Sequence, residues 1–408
     1  MTTGNRHIRE FHQRILQLNG GTWFDFEPCL AAFYGAILRP GSTAIDGGAN
    51  IALHTLQMAQ AVLPDGLVVA IEPVPDFLQQ ISTRLQAFQI PDHLVRRVPY
   101  GLSSAPGEAD FFQVTHPMQH GMSGLRNRYY LQNHQVKQIR VGLTTLDTVC
   151  RDLDRIDFIK LDLEGAELDA LRGGRRTLER FRPAVAIEQD QNSPASFGYS
   201  WDDLLEYFDS LQYEIYDLFG LRYSEAAMFE GCAVWDFVGL PAEYPNKQRL
   251  FGEVRRQMDL AGVILDAGTP AGQPLAARSP NLSLSDLTSA CVLDYIGPVA
   301  NPWTLPSIHV AGDTRPLRFS GWAVDEPLQA VAGGVDVVID EVPYGSWYGG
   351  YRSDIAEHFK NVSYHGSGFL LLLPPGTLQK GEHVVTLRTI SNDGKCYYQG
   401  PTLAFIVD

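Results

Sequence analysis

A glycine-rich turn is the part of this sequence with the clearest capacity for ligand chemistry. Asp46 ends a short apolar run, Gly47 and Gly48 follow at once, and a helix is predicted from Asn50 to Val62. Glycine allows a ligand to approach the backbone closely, and the first N–H groups of a helix have no partner within the helix. Asp46, Gly47, Gly48 and Asn50 are therefore candidate ligand-binding residues, although many α/β proteins use such a turn for packing alone.

A second carboxylate is expected at the same edge of the sheet. Glu72 follows the apolar run Leu67–Ile71 and stands 26 residues after Asp46. An acidic side chain in that place can accept hydrogen bonds from two ribose hydroxyls. Taken alone, Glu72 is equally typical of a surface carboxylate at a strand end. Together the two features predict one crevice at the carboxyl edge of the sheet.

The position of Asp46 separates two classes of cofactor. A dinucleotide requires a Gly-x-Gly-x-x-Gly turn around its pyrophosphate, whereas here a carboxylate directly precedes Gly47 and Gly48 and would repel that anion. The same carboxylate can pair with the ammonium group of S-adenosylmethionine. The sequence therefore favours S-adenosylmethionine as cofactor and methyl transfer as reaction. An NAD-type oxidoreductase is the alternative.

Acidic residues at two further strand ends are candidates for proton transfer. Asp162 and Glu164 follow one apolar run, and Glu188 follows the next. A hydroxyl must be aligned and must lose its proton as it is methylated, and Asp162 or Glu188 is the expected base. Strand alternation predicts that Lys160, Asp162 and Glu164 point the same way. His120 is a further candidate base from a loop, and no metal is predicted.

Short apolar runs alternate with helical patterns from Ser42 to Leu240. This alternation predicts an α/β domain whose parallel sheet carries helices on both faces. The short glycine-containing connection before the last run predicts that this strand returns antiparallel. The seven predicted strands lie at 43–45, 67–71, 94–98, 158–161, 184–187, 213–218 and 233–240.

Local patterns add detail to this domain. A loop-rich insertion is predicted at 103–141, with Phe111–Val114 and Val136–Val141 pairing as strands. One helix is predicted over Gly165–Phe181. Capping boxes are predicted for Thr144 with Asp147 and for Ser200 with Asp203. These elements surround the predicted crevice and are expected to position its side chains.

The remaining chain divides by composition. Residues 1–40 are predicted to be a helical lead-in and residues 41–240 the α/β domain. Residues 241–305, rich in Pro, Gly, Ala and Ser, are predicted to be a linker or helical connection. Residues 306–408 contain short β-like runs separated by turn signals, which predicts an all-β sandwich domain.

Composition limits the classes of function and location. The net charge of −15 disfavours nucleic acid as a substrate. The sequence shows no secretory signal and no apolar window of membrane-spanning length. The five cysteines lie far apart without metal-ligand spacing, so reduced thiols and a cytoplasmic location are predicted. The oligomeric state leaves no mark on the sequence.

Five motifs follow one another in a distinctive order and spacing: Asp46–Ile51, Ile71–Pro73, Gly101–Ser103 before Gly107, Thr145–Asp147 and Ile159–Glu167. Together they resemble the motifs of the FkbM-type methyltransferases. The resemblance covers residues 40–190 and implies a Rossmann-like, seven-stranded class I methyltransferase sheet and S-adenosylmethionine as cofactor. It implies O-methylation, usually of sugar hydroxyls in glycans or of natural products. It also implies a small-molecule or glycan partner, and the cofactor-binding candidates become Asp46, Gly47, Gly48, Asn50, Glu72, Ser103 and Asp162.

Two departures and a second resemblance complete the prediction. Ala52 replaces a glycine common in the family, and Gln189 and Asp190 follow Glu188 where the family often carries a histidine. Residues 319–325 and 348–356 resemble a β-sandwich module of bacterial glycan-modifying enzymes. Its aromatics, which include Trp322, Trp347, Tyr348 and Tyr351, fit a hydrophobic core better than sugar stacking. A non-catalytic glycan-binding protein is the alternative from another functional class.

Overall fold

A computed structural model of the chain describes residues 26–115, 120–127, 135–189, 193–229, 234–260, 275–311, 317–350 and 352–408. The chain forms two compact units, Met1–Val254 and Arg255–Asp408. Residues 1–25 of the predicted lead-in lie outside the described residues, and a helix at Glu27–Gly35 follows them. No helix among the residues with a described structure is both long and apolar enough to cross a membrane.

An eight-stranded sheet forms the centre of the first unit. Its strands are β1 Thr43–Gly47, β2 Leu67–Ile71, β3 Val95–Val98, β7 Phe158–Leu161, β8 Ala184–Glu188, β9 Tyr213–Asp217, β10 Arg222–Tyr223 and β11 Asp236–Pro241. Their order in the sheet is β10-β9-β11-β8-β7-β1-β2-β3. Strands β8, β7, β1, β2 and β3 run parallel, and β11 is antiparallel to both of its neighbours. The predicted antiparallel return is confirmed, and the strand beyond the predicted seven is the two-residue edge strand β10.

Helices connect the strands of this sheet. The predicted single helix over Gly165–Phe181 is instead two helices, α5 and α6, with Gly173 and Gly174 between them. A Cβ at Gly173 would lie 2.2 Å from the carbonyl oxygen of Ser103, so this close approach requires glycine. The helices are α1 Glu27–Gly35, α2 Leu53–Ala61, α3 Pro75–Ala87, α4 Leu146–Val149, α5 Glu167–Arg172, α6 Arg175–Phe181, α7 Ser193–Phe197, α8 Trp201–Ser210 and α9 Lys247–Leu260.

The two predicted capping boxes have different outcomes. The box of Ser200 and Asp203 is confirmed, because each side chain accepts the other residue's backbone N–H. The box of Thr144 and Asp147 is wrong. Thr145 caps α4 by accepting the N–H of Thr148. The carboxylate of Asp147 instead accepts hydrogen bonds from the N–H and the hydroxyl of Thr177, each at 2.8 Å.

A three-stranded sheet lies beside the main sheet. β5 pairs with β6 in antiparallel fashion, as the sequence predicted, and the short β4 pairs with β6 in parallel. Phe111 and Val141 of this sheet pack against Val74 and Phe77 at the start of α3. The three-stranded sheet is therefore anchored next to the end of β2. Its strands are β4 Gly101–Leu102, β5 Gly107–Val114 and β6 Val136–Thr144.

The second unit is β-rich and contains two six-stranded sheets, which share one core cluster. Strands β12 to β14 precede residue 306, where the sequence placed the start of the sandwich, and β13 pairs directly with β16. Its elements are β12 Ser283–Leu284, β13 Cys291–Ile296, β14 Val299–Ala300, β15 His309–Val310, β16 Leu317–Asp325, β17 Ala330–Val331, β18 Gly334–Ile339, β19 Val342–Gly345, β20 Trp347–Gly350, α10 Ser353–Phe359, β21 Gly368–Leu373, β22 Gly381–Ile390 and β23 Cys396–Val407.

Aromatic side chains of the second unit serve packing. The ring of Trp322 lies 5.8 Å from that of Phe359, and Tyr348 packs against the core cluster. The hydroxyl of Tyr348 donates to the carbonyl of Ala323 at 2.6 Å. For Trp322 and Tyr348 the predicted core role is confirmed. Tyr351 lies outside the described residues.

The structure describes four of the five cysteines. Cys150 and Cys291 are buried free thiols, Cys396 is a half-buried one, and Cys29 is buried. Cys232 lies outside the described residues. Burial raises the pKa of Cys150 to about 12, which keeps that thiol protonated and unreactive.

Candidate functional site

The turn after β1 lies directly against the exit of β7. The N–H groups of Gly48 and Ala49 donate to the carbonyl of Ile71 at 3.0 and 3.1 Å, which holds the turn to the end of β2. Gly48 has a φ of 79°, and a Cβ there would lie 1.9 Å from the carbonyl oxygen of Asp162. Both the left-handed backbone and the close approach require glycine. The predicted binding turn and Asp162 are thus brought together.

Asp46 lies beneath this turn and is 1% exposed. Its Oδ2 accepts a hydrogen bond from the Thr55 hydroxyl of α2 at 2.5 Å. Its Oδ1 is buried and makes no hydrogen bond with any described residue. A buried carboxylate oxygen without a donor is costly, and Asp46 itself is not among the residues that line the pocket described below. Gly47, next along β1, packs against Leu161 and Leu102.

Glu72 holds the two loops that border the crevice. Its carboxylate accepts the N–H of Asn50 and the N–H of Val74, each at 2.9 Å. Burial raises the pKa of Glu72 to about 7, with contributions from the charges of Asp46 and Asp162 and partial compensation by the two amide hydrogen bonds. A carboxylate has about four acceptor positions. Two therefore remain for ligand hydroxyls.

A pocket opens where these loops meet, and its space, including the open mouth, is about 530 Å³. Four sequence-predicted residues line it: Gly48, Asn50, Glu72 and Asp162. The side-chain Oδ1 of Asn50 is buried and has no hydrogen-bond partner among the described residues. The lining residues are Gly48, Asn50, Ile71, Glu72, Pro73, Phe77, Tyr100, Gly101, Leu102, Phe111, Gly121, Ser123, Leu125, Asp162, Leu163 and Ala166.

Ser103 follows the lining residue Leu102 but is not itself part of the lining. Its N–H donates to the carbonyl of Thr144 at 2.9 Å, and its carbonyl oxygen lies against Gly173. The backbone of Ser103 therefore joins the three-stranded sheet to the break between α5 and α6. This contact stands next to Leu102, which lines the pocket.

A buried ion pair stands at the end of β7. The Nζ of Lys160 lies 3.1 Å from Oδ2 of Asp162, and Lys160 is 4% exposed. Burial lowers the pKa of Lys160, but the charges of Asp162, Asp46, Glu27 and Glu188 outweigh burial and raise it above its usual value. Lys160 is therefore an ammonium at every physiological pH, and Asp162 is its contact partner.

Glu188 is the last residue of β8 and lies opposite Asp236 of β11. The charge of Asp162, together with burial and the charges of Asp236 and Glu164, raises the pKa of Glu188 well above its usual value. Glu188 therefore holds a proton to a higher pH than an ordinary glutamate does.

Glu164 and His120 lie at two different edges of the site. β7 ends at Leu161 and Glu164 has a φ of 56°, so strand alternation does not extend to Glu164 as the sequence predicted. The ring of His120 lies 5.6 Å from that of Phe77. Burial, followed by the charge of Arg84, lowers the pKa of His120. Its Nδ1 is buried and has no hydrogen-bond partner in the described part of the chain.

Sequence reasoning missed the apolar wall of the pocket. Phe77, Tyr100, Phe111 and Leu125 come from four separate segments, and each reads in sequence as ordinary helix, strand or loop. It also left Lys160 without a role, although a lysine inside the otherwise apolar run Phe158–Leu161 is itself a signal of a buried charge.

Gln189 occupies the position where the sequence analysis looked for a histidine. It is fully buried, and its Oε1 lies 2.7 Å from the Tyr199 hydroxyl, which is also 3.1 Å from the Gly165 carbonyl. These contacts connect the end of β8 to the loop after β7. Over the described residues, no group of three His, Cys, Asp or Glu side chains is arranged to hold a metal ion.

Comparison with known proteins identifies the type of domain. Residues 46–215 match the family model described as the methyltransferase FkbM domain. This range begins at Asp46 and includes Glu72, Asp162 and Glu188. This part of the chain is therefore similar to the methyltransferase FkbM domain.

Two curated proteins match parts of the chain. AMB antimetabolite synthetase AmbE of Pseudomonas aeruginosa is 27% identical over 199 residues, which are 40% of this chain and 9% of that protein. Methyltransferase sdnD of Sordaria araneosa is 30% identical over 158 residues, which are 32% of this chain and 59% of that protein. The chain thus spans less than two thirds of the length of either relative.

Solved structures similar to the chain include other methyltransferases. A methyltransferase FkbM from Methylobacillus flagellatus has 17% identity, 58% coverage of each chain and a TM-score of 0.34. SMU.1697c from Streptococcus mutans, in complex with SAH, has 11% identity, coverage of 54% of this chain and 99% of that chain, and a TM-score of 0.32. The type of domain is assigned from the family model and not from these two structures.

Proposed function

We propose that this protein is an S-adenosylmethionine-dependent O-methyltransferase that acts on a hydroxyl of a sugar in a glycan or of a natural product. The observation that carries the proposal is the pocket at 46–215, where Gly48, Asn50, Glu72 and Asp162 meet at the carboxyl edge of the sheet. Ligands of doubly wound sheets bind at this edge. Support for a natural-product acceptor comes from the name of the AmbE relative, an antimetabolite synthetase.

The residues present fit S-adenosylmethionine. Gly48 and Asn50 line the pocket, and the unpartnered Oδ1 of Asn50 is an acceptor for an ammonium group. Glu72 retains acceptor positions for ribose hydroxyls. We assign Asp46, Gly47, Gly48, Asn50, Glu72, Ser103 and Asp162 to cofactor binding. When bound, the cofactor would supply an electrophilic methyl group.

Asp162 is the proposed base for the acceptor hydroxyl. It lines the pocket and is held by the ammonium of Lys160 at 3.1 Å, which favours its anionic, proton-accepting form. The pKa of Glu188 is raised well above its usual value, so Glu188 is suited to donate a hydrogen bond to the acceptor rather than to remove its proton. Glu164 and His120 are the remaining proposed candidates at the rim.

The acceptor is proposed to be a small molecule or a glycan and not a nucleic acid, because the chain carries a net charge of −15. Methyl transfer is proposed for the α/β domain. A cytoplasmic location, where S-adenosylmethionine is available, is part of the same proposal.

The test is incubation of the purified full-length chain with methyl-labelled S-adenosylmethionine and extracts of glycans and natural products. We expect label to enter an alkali-stable ether, with the acceptor gaining one methyl by mass, and calorimetry to show binding of S-adenosylhomocysteine. An absence of binding to S-adenosylhomocysteine would contradict the proposal. Binding of a nicotinamide cofactor instead would favour the oxidoreductase alternative.

A further inference from the structure

Lys160 is a buried charge whose part in the proposed reaction is limited to its contact with Asp162. It lies on β7, opposite Asp46 of β1 and opposite Ala186 of β8, so it stands in the middle of the parallel sheet. A lysine that is 4% exposed is rare unless paired, because burial of an ammonium is costly. If Lys160 served only the stability of the fold, one carboxylate beside its ammonium group would be enough.

The surroundings of Lys160 contain more acid than pairing requires. Asp162 and Asp46 are the two strongest acidic influences on Lys160, followed by Glu27 and Glu188. Glu27, at the start of α1, has its own ion pair with Nε2 of His54 at 2.5 Å. Asp236, Glu164, Glu72 and Glu167 complete the charged groups that face Asp162 or Glu188 from neighbouring elements.

Asp162 contacts the ammonium of Lys160 directly. The distance from Nζ to Oδ2 is 3.1 Å, which is hydrogen-bonding distance, and Asp162 also lines the pocket. Asp46 is held by Thr55, and Glu72 is held by two backbone amides. Asp46 and Glu72 therefore accept hydrogen bonds from uncharged groups, whereas Asp162 contacts a cation.

We propose that Lys160 is a positioning residue that holds Asp162 as an oriented carboxylate anion. This inference rests on the proposed function, in which Asp162 accepts the proton of the hydroxyl. Without the ammonium, Asp162 would face neighbouring carboxylates with no cation in contact, and like charges favour the protonated form of a carboxyl group. Lys160 touches neither substrate nor cofactor in this role.

The test uses Lys160→Met in the full chain, with Lys247→Met as the matched control. Lys247 also forms a half-buried ion pair, with Glu214 of β9, but lies outside the pocket lining. Carboxyl-carbon NMR, with the Asp162 signal assigned through Asp162→Asn, follows protonation of Asp162 against pH. We expect Lys160→Met to move the midpoint upward by about one to three pH units, and Lys247→Met to leave it unchanged.

Kinetics separate positioning from a structural role. In Lys160→Met the acidic limb of the kcat profile should move upward by the same amount as the NMR midpoint, while KM for the methyl donor changes less than kcat at neutral pH. Lys160→Arg, which keeps the charge, should hold the midpoint near that of the wild type. A Met variant whose NMR midpoint equals that of the wild type would overturn the proposal.

Two further experimental outcomes also have a defined interpretation. If Lys160→Met does not fold, the titration of Lys160→Arg decides, because an upward shift despite the retained cation would contradict a charge-based role. If the wild type neither binds S-adenosylhomocysteine nor transfers methyl groups, the proposed function fails, yet the NMR titration still tests the link between Lys160 and Asp162. The two failures are therefore distinguishable.

Discussion

The backbone of Gly48 lies against the carbonyl of Asp162 so closely that a Cβ at Gly48 would stand 1.9 Å from that oxygen. The contact joins the turn proposed to hold the cofactor to the residue proposed to remove the proton. Two loops from non-adjacent parts of the chain thus act as one rigid wall. A change at Gly48 must therefore disturb the binding of the methyl donor and the position of the base together.

Replacement of Gly48 by alanine should abolish binding of S-adenosylhomocysteine and lower stability. The added methyl group meets a backbone oxygen at a position whose φ is 79°, and left-handed backbone alone costs a non-glycine residue about 1–2 kcal/mol. The matched control is Gly41→Ala, since Gly41 has a φ of 81° but nothing within 4 Å of an added Cβ. We expect the control to lose about 1 kcal/mol of stability and to retain full affinity by calorimetry. Equal affinity loss in both variants would contradict the close-contact argument.

Binding of the nucleoside should depend on pH through Glu72. Burial raises the pKa of Glu72 to about 7 in the free protein, and ribose hydroxyls that donate to the carboxylate favour its ionised form. Binding therefore releases a proton, so affinity should be constant above about pH 8 and fall about tenfold per unit below about pH 6. Calorimetry with S-adenosylhomocysteine from pH 5 to 8.5 measures this dependence.

The variant Glu72→Gln separates this effect from general acid sensitivity. A glutamine keeps the size and an acceptor oxygen but cannot ionise. Its affinity should be about 10–100-fold weaker at pH 8, because hydrogen bonds to a charged group are worth about 1.5–3 kcal/mol. Its affinity should also be independent of pH between 5 and 8. A persistent fall below pH 7 in this variant would assign the dependence to another group.

Loss of the proposed base should reduce the chemical step more than binding. Asp162→Asn preserves shape and removes the proton acceptor, so kcat should fall about 10²–10⁴-fold. Glu188→Gln should cost less, since the raised pKa of Glu188 favours its protonated form and glutamine retains a donor. Single-turnover methyl transfer, measured with the donor at saturation, compares the two variants. A larger loss of methyl-transfer rate in Glu188→Gln than in Asp162→Asn would show that Glu188, and not Asp162, is the base.

The sequence predicted those parts of the fold that repeat a local pattern. Asp46, Glu72 and Glu188 all stand at strand ends that apolar runs mark clearly, and the parallel order places these ends at one edge. The pocket wall formed by Tyr100 and Phe111 depends on how a three-stranded sheet packs against α3, and no local pattern encodes that packing.

Other differences between prediction and structure have similar causes. The break at Gly173 follows from a contact with Ser103, which is 70 residues away in the chain. β10 is a two-residue strand whose pairing with β9 leaves too short a pattern to recognise. The N-cap of α4 lies one residue later than predicted, at Thr145 instead of Thr144. Both residues are threonines, so residue type alone does not distinguish them, and the tertiary contacts of Asp147 decide which one caps the helix.

Those tertiary contacts predict a measurable loss of stability in Asp147→Asn. Burial raises the pKa of Asp147, but hydrogen bonds from Thr177 and then Arg176 outweigh burial and hold it below the usual value. The charged form therefore stabilises the fold above about pH 4, and this contribution is lost as pH falls through the lowered pKa of the folded state. At pH 7 the variant should lose about 1–3 kcal/mol of unfolding free energy by urea titration, and the difference from wild type should narrow below pH 4.

Asp152→Asn, which removes an exposed ion pair with Arg96, should cost less than about 0.5 kcal/mol. Similar losses in the two variants would show that Asp147 acts as an ordinary surface charge.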